Sequence, residues 1–210
     1  MTDIKKIKDE IAYFMRRLYL QKLTTTSGGN ISFRINDEIL ITPSQTDKGR
    51  IEGNEIGQMK FSGEIVGDIF KPSIETQMHI EIYKQRPDIT AIVHAHPINC
   101  SMIAASKLKI ETKCLSESYA ILGDINYADY GLMGTELLAD NVGLSAKTAN
   151  CIIMSNHGAT ALGNNLLQAF DRLEVLENAA QLTLNMGSSQ IQFENLNDEE
   201  LKKIDQVMGR

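Results

Sequence analysis

Ala91-Ile92-Val93 leads straight into His94-Ala95-His96 and stops at Pro97. An apolar run that ends at a proline reads as a buried strand, because proline cannot donate to a central ladder. Side chains alternate across a strand, so His94 and His96 project to the same face. Any fold of this chain must therefore place two adjacent imidazoles at the end of a buried strand. Imidazoles pack poorly against apolar neighbours, but in the neutral form they are preferred ligands for zinc and similar ions. Taken alone, the stretch fits two readings: a metal site, or a surface loop with two solvated histidines.

A second buried strand has the same ending. Cys151-Ile152-Ile153-Met154 runs into Ser155-Asn156-His157-Gly158. Three of the four histidines in the chain thus sit where a buried strand stops. A catalytic zinc keeps about three protein ligands and one open position. Glu75 is the best carboxylate to join them. Lys71-Pro72-Ser73 sets up a helix with Ser73 as N-cap and Glu75 in the first turn, where the helix dipole favours an anion. Ile74, Met78 and Ile82 give that helix its apolar stripe. Glu75 and His79 lie four apart and so share a face. They read as two metal ligands or as a hydrogen-bonded carboxylate–imidazole pair, and for His79 the second reading is preferred.

The rest of the chain interleaves helical and strand patterns. Ile4, Ile7, Ile11, Phe14 and Leu18 predict an amphipathic helix over residues 3–21, with Thr2 as its cap. Thr24 to Asn30 is a run of hydroxyls, two glycines and an amide, which reads as a phosphate cradle or as a plain turn. A hairpin follows, with strands at 31–35 and 38–42 around Asn36-Asp37. Residues 58–61 and 64–66 are short strand-like pieces. A helix is expected over 99–106, short strands and turns over 110–130, and another helix from about 134 to 144. A long helix is expected from Asn164 or Asn165 to about Thr183. Asn197 with Glu200 reads as a capping pair for a last helix. No repeat, low-complexity stretch or linker interrupts this, so residues 1–210 are expected to form a single α/β domain.

Composition limits the partners. The net charge of −6 lacks the basic face that a general phosphate-backbone binder needs, so no nucleic acid is expected. No apolar run has bilayer length and no signal-peptide pattern is present, so no membrane partner and a cytoplasmic location are expected. Cys100, Cys114 and Cys151 are odd in number and form no CxxC, which suits a reducing compartment and three buried thiols.

Five segments together carry a resemblance. Ser27-Gly28-Gly29-Asn30-Ile31-Ser32, Ile39 to Ser44, Lys71-Pro72-Ser73-Ile74-Glu75, Val93-His94-Ala95-His96 and Asn156-His157-Gly158 occur in this order. In this the chain resembles the class II aldolase/epimerase family over nearly its whole length. The resemblance implies a three-layer α/β/α domain with a central, mostly antiparallel sheet. It implies one divalent cation per chain, Zn2+ first and Mn2+ or Co2+ as alternatives, on His94, His96, His157 and Glu75. Glu75 would also be the catalytic acid/base. Substrate phosphate would lie among Ser27, Gly28, Gly29, Asn30, Ser44 and Ser73. The implied reaction is lyase chemistry, the reversible cleavage of a ketose 1-phosphate through a metal-stabilised enediolate. L-Fuculose 1-phosphate is the first expectation, giving dihydroxyacetone phosphate and L-lactaldehyde in fucose degradation. The implied assembly is a homotetramer with active sites at subunit interfaces. Alternatives are an L-ribulose-5-phosphate 4-epimerase, another deoxy-ketose-phosphate aldolase or dehydratase, and a non-catalytic binding module.

The chain departs from the family pattern at three points. Gln45 stands where a glycine is usual in the second phosphate loop, and Ile74 where a second serine is usual. Leu115 aligns with the family's tyrosine proton donor, so Tyr119 and Glu117 nearby are the candidates for that role.

Overall fold

The structure, a computed structural model, describes residues 3–189 and 193–209. Its strands are β1 (Asn30–Ile35), β2 (Glu38–Ile41), β3 (Gly57–Lys60), β4 (Ala91–Ala95), β5 (Ile125–Ala128), β6 (Cys151–Met154) and β7 (Gly158–Gly163). They form one seven-stranded sheet in the order β3-β2-β1-β4-β7-β6-β5. Every pairing is antiparallel except β5 with β6. The helices are α1 (Ile4–Leu20), α2 (Thr76–Gln85), α3 (Ile98–Ala104), α4 (Ser116–Leu122), α5 (Glu136–Ala146), α6 (Leu166–Ser188) and α7 (Asp198–Met208).

Strand alternation splits the core in two, as a helix-covered sheet requires. On one face Val93, Ile153 and Ala161 pack against Met15, Ile103 and Phe170 of α1, α3 and α6. On the other, Ile92, Ile152 and Leu162 pack against Met78, Ile82 and Val142 of α2 and α5. The result is the α/β/α arrangement expected, with β4 at the centre of the sheet.

Local chemistry sets the element ends. Asp3 caps α1, its carboxylate accepting from the Lys6 N–H; Thr2, the expected cap, lies outside the described residues. Asn165 caps α6 through Gln168 N–H. Asn197 and Glu200 form a reciprocal capping box at the start of α7.

Several expectations need correction. Cys114 is only partly buried, unlike Cys100 and Cys151, and residues 64–66 meet β3 through an isolated bridge between Met59 and Ile65 rather than as a strand. Residues 116–122 form α4, not strands and turns. Seven residues are too few to show a helical period, and packing against α6 and α7 supplies the stability that propensity does not. The segment Gly158-Ala-Thr-Ala-Leu-Gly163 is a central strand that the pattern did not announce. Apart from Leu162 its residues are small, and Thr160 alone is β-branched, so burial between β4 and β6 decides its conformation.

Phe170 anchors the α1–α6 contact. It is fully buried, its ring centroid is 5.0 Å from that of Phe14, and the Arg17 guanidinium lies 4.3 Å over its face. Phe170→Ala is expected to cost about 3–5 kcal/mol of unfolding free energy, read as a lower urea midpoint at unchanged slope. A loss below 1 kcal/mol would mean that the neighbouring side chains collapse into the space.

Candidate metal centre

The sheet register brings the polar residues together. Asn30 pairs with His94 across β1 and β4, and His94 pairs with Thr160 across β4 and β7. His157 sits in the three-residue turn between β6 and β7, where Asn156 takes a φ of +54° and the His157 N–H bonds to the Met154 carbonyl at 3.0 Å. Asparagine is one of the few non-glycine residues at home in that conformation. Gly158 follows because there is no room for a side chain: a Cβ would lie 2.5 Å from the Ala95 carbonyl oxygen and 2.7 Å from the His96 ring. Gly29 faces the same constraint from the other side, with a φ of +68° and a Cβ position 2.8 Å from the His94 carbonyl oxygen.

His94, His96 and His157 converge, with one ring nitrogen from each within 4.8 Å of the others. His94 Nε2 is 3.1 Å from His96 Nε2 and 3.3 Å from Glu75 Oε2. His157 Nε2 is 2.8 Å from Glu75 Oε1. The other nitrogen of His94, Nδ1, is 3.0 Å from the Ala159 carbonyl oxygen and 3.2 Å from Thr160 Oγ1. A carbonyl only accepts, so Nδ1 carries the proton and Nε2 presents a bare lone pair to the cluster.

The charges around this cluster suit a cation. Burial alone would raise the Glu75 carboxyl, but the His94 imidazole, the His157 ring bonded to it and the Asn30 amide outweigh burial. They hold the carboxyl well below the usual range. Burial holds His94 down at about 3, against the pull of Glu75, and lowers His96 as well. Near neutral pH the cluster therefore holds one carboxylate beside the neutral imidazoles of His94 and His96. Three imidazole nitrogens, one carboxylate and no thiolate fit a divalent cation such as zinc.

Glu75 reaches the cluster in a way the sequence misplaced. Helix α2 starts at Thr76, so Glu75 is its N-cap residue rather than a first-turn residue. Its side chain turns toward the histidines instead of along the helix face. Glu75 and His79 consequently form neither a direct side-chain pair nor a shared ligand set. Asn30 stands between them, its Nδ2 donating to Glu75 Oε2 at 2.7 Å while its Oδ1 faces His79 Nε2. Ser73 is not the helix cap either. Its Oγ accepts from Asn30 Nδ2 at 3.0 Å and from the Glu75 N–H at 3.3 Å.

The other expected phosphate residues surround this point. Gly28 abuts His96: a Cβ there would lie 3.0 Å from His96 Nδ1. Ser27 is exposed at the mouth of the same loop. The loops of Ser44 and Ser73 are joined by a bridge between Pro43 and Pro72 and by the Ser44 N–H to the Lys71 carbonyl, 2.9 Å. Gln45 adopts a φ of +57°, the conformation for which glycine is usual. Its Oε1 accepts from Lys71 Nζ at 2.8 Å.

Within one chain, Tyr119 and Glu117 lie elsewhere. Both are on α4, and the Tyr119 hydroxyl is 3.1 Å from Asp205 Oδ2 of α7. Tyr119 lines a cavity of about 960 Å³ shared with Asn150 and Asn165. Those asparagines flank the end of the β6–β7 hairpin opposite His157. Several polar residues near the site escaped the sequence. Ser32 and Tyr83 join His79 and Asn30 in one buried network. Lys48 is buried beneath the second loop, its Nζ bonded to the Pro43 carbonyl and Thr46 Oγ1, and burial lowers it to about 8 against the pull of Glu55. The Glu177 carboxylate accepts the Asn99 and Cys100 N–H groups, both at the N-terminal end of α3, just beyond His96. A sequence shows such residues only as isolated polar letters in apolar elements.

Comparison with known proteins decides the family. Residues 9–184 match the family model described as "Class II Aldolase and Adducin N-terminal domain". The chain belongs to that family. An L-fuculose phosphate aldolase of Methanocaldococcus jannaschii is 33% identical over 177 residues, covering 84% of this chain and 95% of that protein. A 3-oxo-tetronate 4-phosphate decarboxylase of Haemophilus influenzae is 27% identical over 210 residues, covering 98% of each. A solved L-fuculose 1-phosphate aldolase superposes with a TM-score of 0.88 at 29% identity, covering 98% of this chain and 97% of that one. This class II aldolase family member has the fold of those enzymes and is an enzyme of their kind.

Burial makes the metal-free protein acid-labile. In the folded state His79 and His94 stay neutral down to about 4 and about 3, while their ordinary value is 6.5. Between those values the unfolded chain binds more protons than the folded one, so stability falls as pH drops below about 6.5. Each of the two histidines contributes up to about 1.4 kcal/mol per pH unit. Urea unfolding of chelator-treated protein at pH 7, 6 and 5 is expected to show a steadily lower midpoint. An unchanged midpoint across that range would mean that neither imidazole is buried and neutral.

Proposed function

We propose that the chain is a metal-dependent aldolase that reversibly cleaves a ketose 1-phosphate, L-fuculose 1-phosphate first, into dihydroxyacetone phosphate and an aldehyde, here L-lactaldehyde. The observation that carries this reading is the meeting of three imidazoles and the Glu75 carboxylate beside a loop of hydroxyls and glycines. Relatives that share the fold and are named for that activity support it.

His94, His96, His157 and Glu75 would hold one divalent cation per chain, zinc first. Bound there, the cation supplies Lewis-acid polarisation of a carbonyl and stabilisation of developing negative charge. Glu75 is the group that takes and returns a proton at the reacting carbon: it is ionised, buried and held by hydrogen bonds that a substrate can replace. Ser27, Gly28, Gly29, Asn30, Ser44 and Ser73 would fix the phosphate and so place the reacting carbons over the carboxylate. Tyr119 and Glu117 lie away from their own chain's cluster. They would serve as proton donors to the aldehyde oxygen only from a neighbouring subunit, in a homotetramer with interfacial sites. Residues 1–210 are read as one domain working in the cytoplasm. No helix of the described residues is long and apolar enough to cross a membrane, and Cys100, Cys114 and Cys151 are free.

A second reading is favoured by the full-length match to the decarboxylase. Loss of CO2 from a 3-oxo acid phosphate needs the same polarised carbonyl and the same phosphate grip, and differs in the bond that breaks.

The two readings separate in one assay. Zinc-loaded protein is offered L-fuculose 1-phosphate, L-ribulose 5-phosphate and a 3-oxo-tetronate 4-phosphate in parallel. Dihydroxyacetone phosphate from the first substrate is the expected outcome. An epimer without triose phosphate, or CO2 from the third substrate alone, would replace the aldolase reading. Glu75→Gln is expected to lower turnover by about 10²–10⁴-fold while losing less metal affinity than His94→Ala. Equal losses of turnover and metal would restrict Glu75 to ligation.

A further inference from the structure

A line of buried polar groups runs inward from Glu75, and beyond its first member, Asn30, neither phosphate binding nor metal ligation requires it. It comprises Asn30, His79, Ser32 and Tyr83, all at most 2% exposed. Asn30 contacts Glu75 and Ser73 on one side and His79 Nε2 on the other. His79 Nδ1 is 2.7 Å from Ser32 Oγ. Ser32 Oγ is 2.8 Å from the Tyr83 hydroxyl, which also lies 3.2 Å from the Thr90 carbonyl oxygen. An unpaired polar group at this depth would cost about 1–3 kcal/mol, so the donors and acceptors must alternate along the line.

The carboxylate end decides the direction. Ionised Glu75 can only accept, so Asn30 must turn its NH2 toward it. The same NH2 has a second hydrogen for Ser73 Oγ. Asn30 Oδ1 then faces His79, and an amide oxygen only accepts, so His79 must carry its proton on Nε2. Its Nδ1 is left as an acceptor for the Ser32 hydroxyl. Tyr83 closes the line, with its proton available to Ser32 or to the Thr90 carbonyl.

We propose that His79 is a positioning residue: its Nε2–H locks the Asn30 amide so that Asn30 holds the Glu75 carboxylate and the Ser73 hydroxyl together. Asn30 joins the metal half of the site to the phosphate half. Without the His79 donor, its amide is free to rotate and present an oxygen to the carboxylate, which would push Glu75 out of place. The groups packed around His79 give it no other task. Glu75, the N-cap of its helix, points away toward the three histidines, and Ser32 and Asn30 take both ring nitrogens. The functional consequence rests on the reading of Glu75 as ligand and base. The direction of the hydrogen bonds does not.

Two measurements on the full chain test this without any sugar phosphate. The first is ¹⁵N NMR of imidazole-labelled, chelator-treated protein at pH 7, with the His79 signals assigned by their loss in His79→Gln. A protonated Nε2 and a hydrogen-bonded, unprotonated Nδ1 are expected. A proton on Nδ1 would overturn the proposal. The second is Co2+ titration, read by visible absorbance, of the wild-type protein, His79→Phe and His79→Gln. His79→Phe is expected to weaken Co2+ binding by about 10–100-fold, as loss of a group supporting a metal ligand does. His79→Gln keeps an N–H donor for Asn30 and a carbonyl for Ser32, and is expected to restore most of that loss. Equal Co2+ affinity in all three proteins, with only the melting temperature lowered in His79→Phe, would show a packing role and contradict the proposal. Should His79→Phe fail to fold, the tautomer of wild-type His79 still decides. Because no substrate is used, failure here and failure of the aldolase reading are separate results.

Discussion

A buried carboxylate held against two of three clustered imidazoles is the interaction on which the rest of this molecule depends. Taking an ion out of water is costly unless it is paired and hydrogen-bonded. Glu75 is 6% exposed and has His94, His157 and Asn30 as partners. None of these partners comes from the same segment. They are delivered by β1, by β4 and by the turn before β7, and only the antiparallel register of the central strands makes them neighbours. A one-residue slip of β4 would turn His94 to the opposite face and place Val93 or Ala95 at the carboxylate. Correct pairing of the sheet and assembly of the site are thus one event.

The surroundings serve that geometry from both sides. Gly158 and Gly29 leave out side chains that would strike the Ala95 and His94 backbone. Glu177 of α6 holds the first turn of α3, which begins two residues past His96, by accepting its N–H groups. The Ala159 carbonyl fixes the tautomer of His94. This many polar groups in a core are tolerable only because nearly all are satisfied. Thr24 Oγ1 is the exception among the described residues, and it borders the Gly28–Gly29 loop.

Much of this was legible in the sequence, where local pattern and tertiary structure agree. His94-Ala95-His96-Pro97 announced a strand end that carries two imidazoles on one face, and Cys151 to Met154 was delimited correctly as a strand. The capping pair of Asn197 and Glu200 marked a helix start to the residue. What escaped depended on contacts distant in the chain. The spacing of Glu75 and His79 suggested a direct pair, but Asn30 enters between them from 45 residues before Glu75. The start of α2 at Thr76 rather than at Ser73 decides where Glu75 points, and helix boundaries are the least readable part of a pattern. Strand β7 carries mostly small residues, and α4 is too short to show a period. Gln45 is a departure the structure does account for, because it takes the positive φ of the usual glycine and is tied to Lys71.

The most direct measurement is the metal content of the chain and its dependence on the three imidazoles. Protein is stripped with chelator, reloaded with Zn2+ and assayed for bound metal, beside His94→Ala, His96→Ala and His157→Ala variants that retain the native circular dichroism. The account predicts about one ion per chain in the wild-type protein, a marked loss in each variant, and activity in proportion to occupancy. Wild-type metal content in the folded variants, or no bound metal in the wild-type protein, would contradict it.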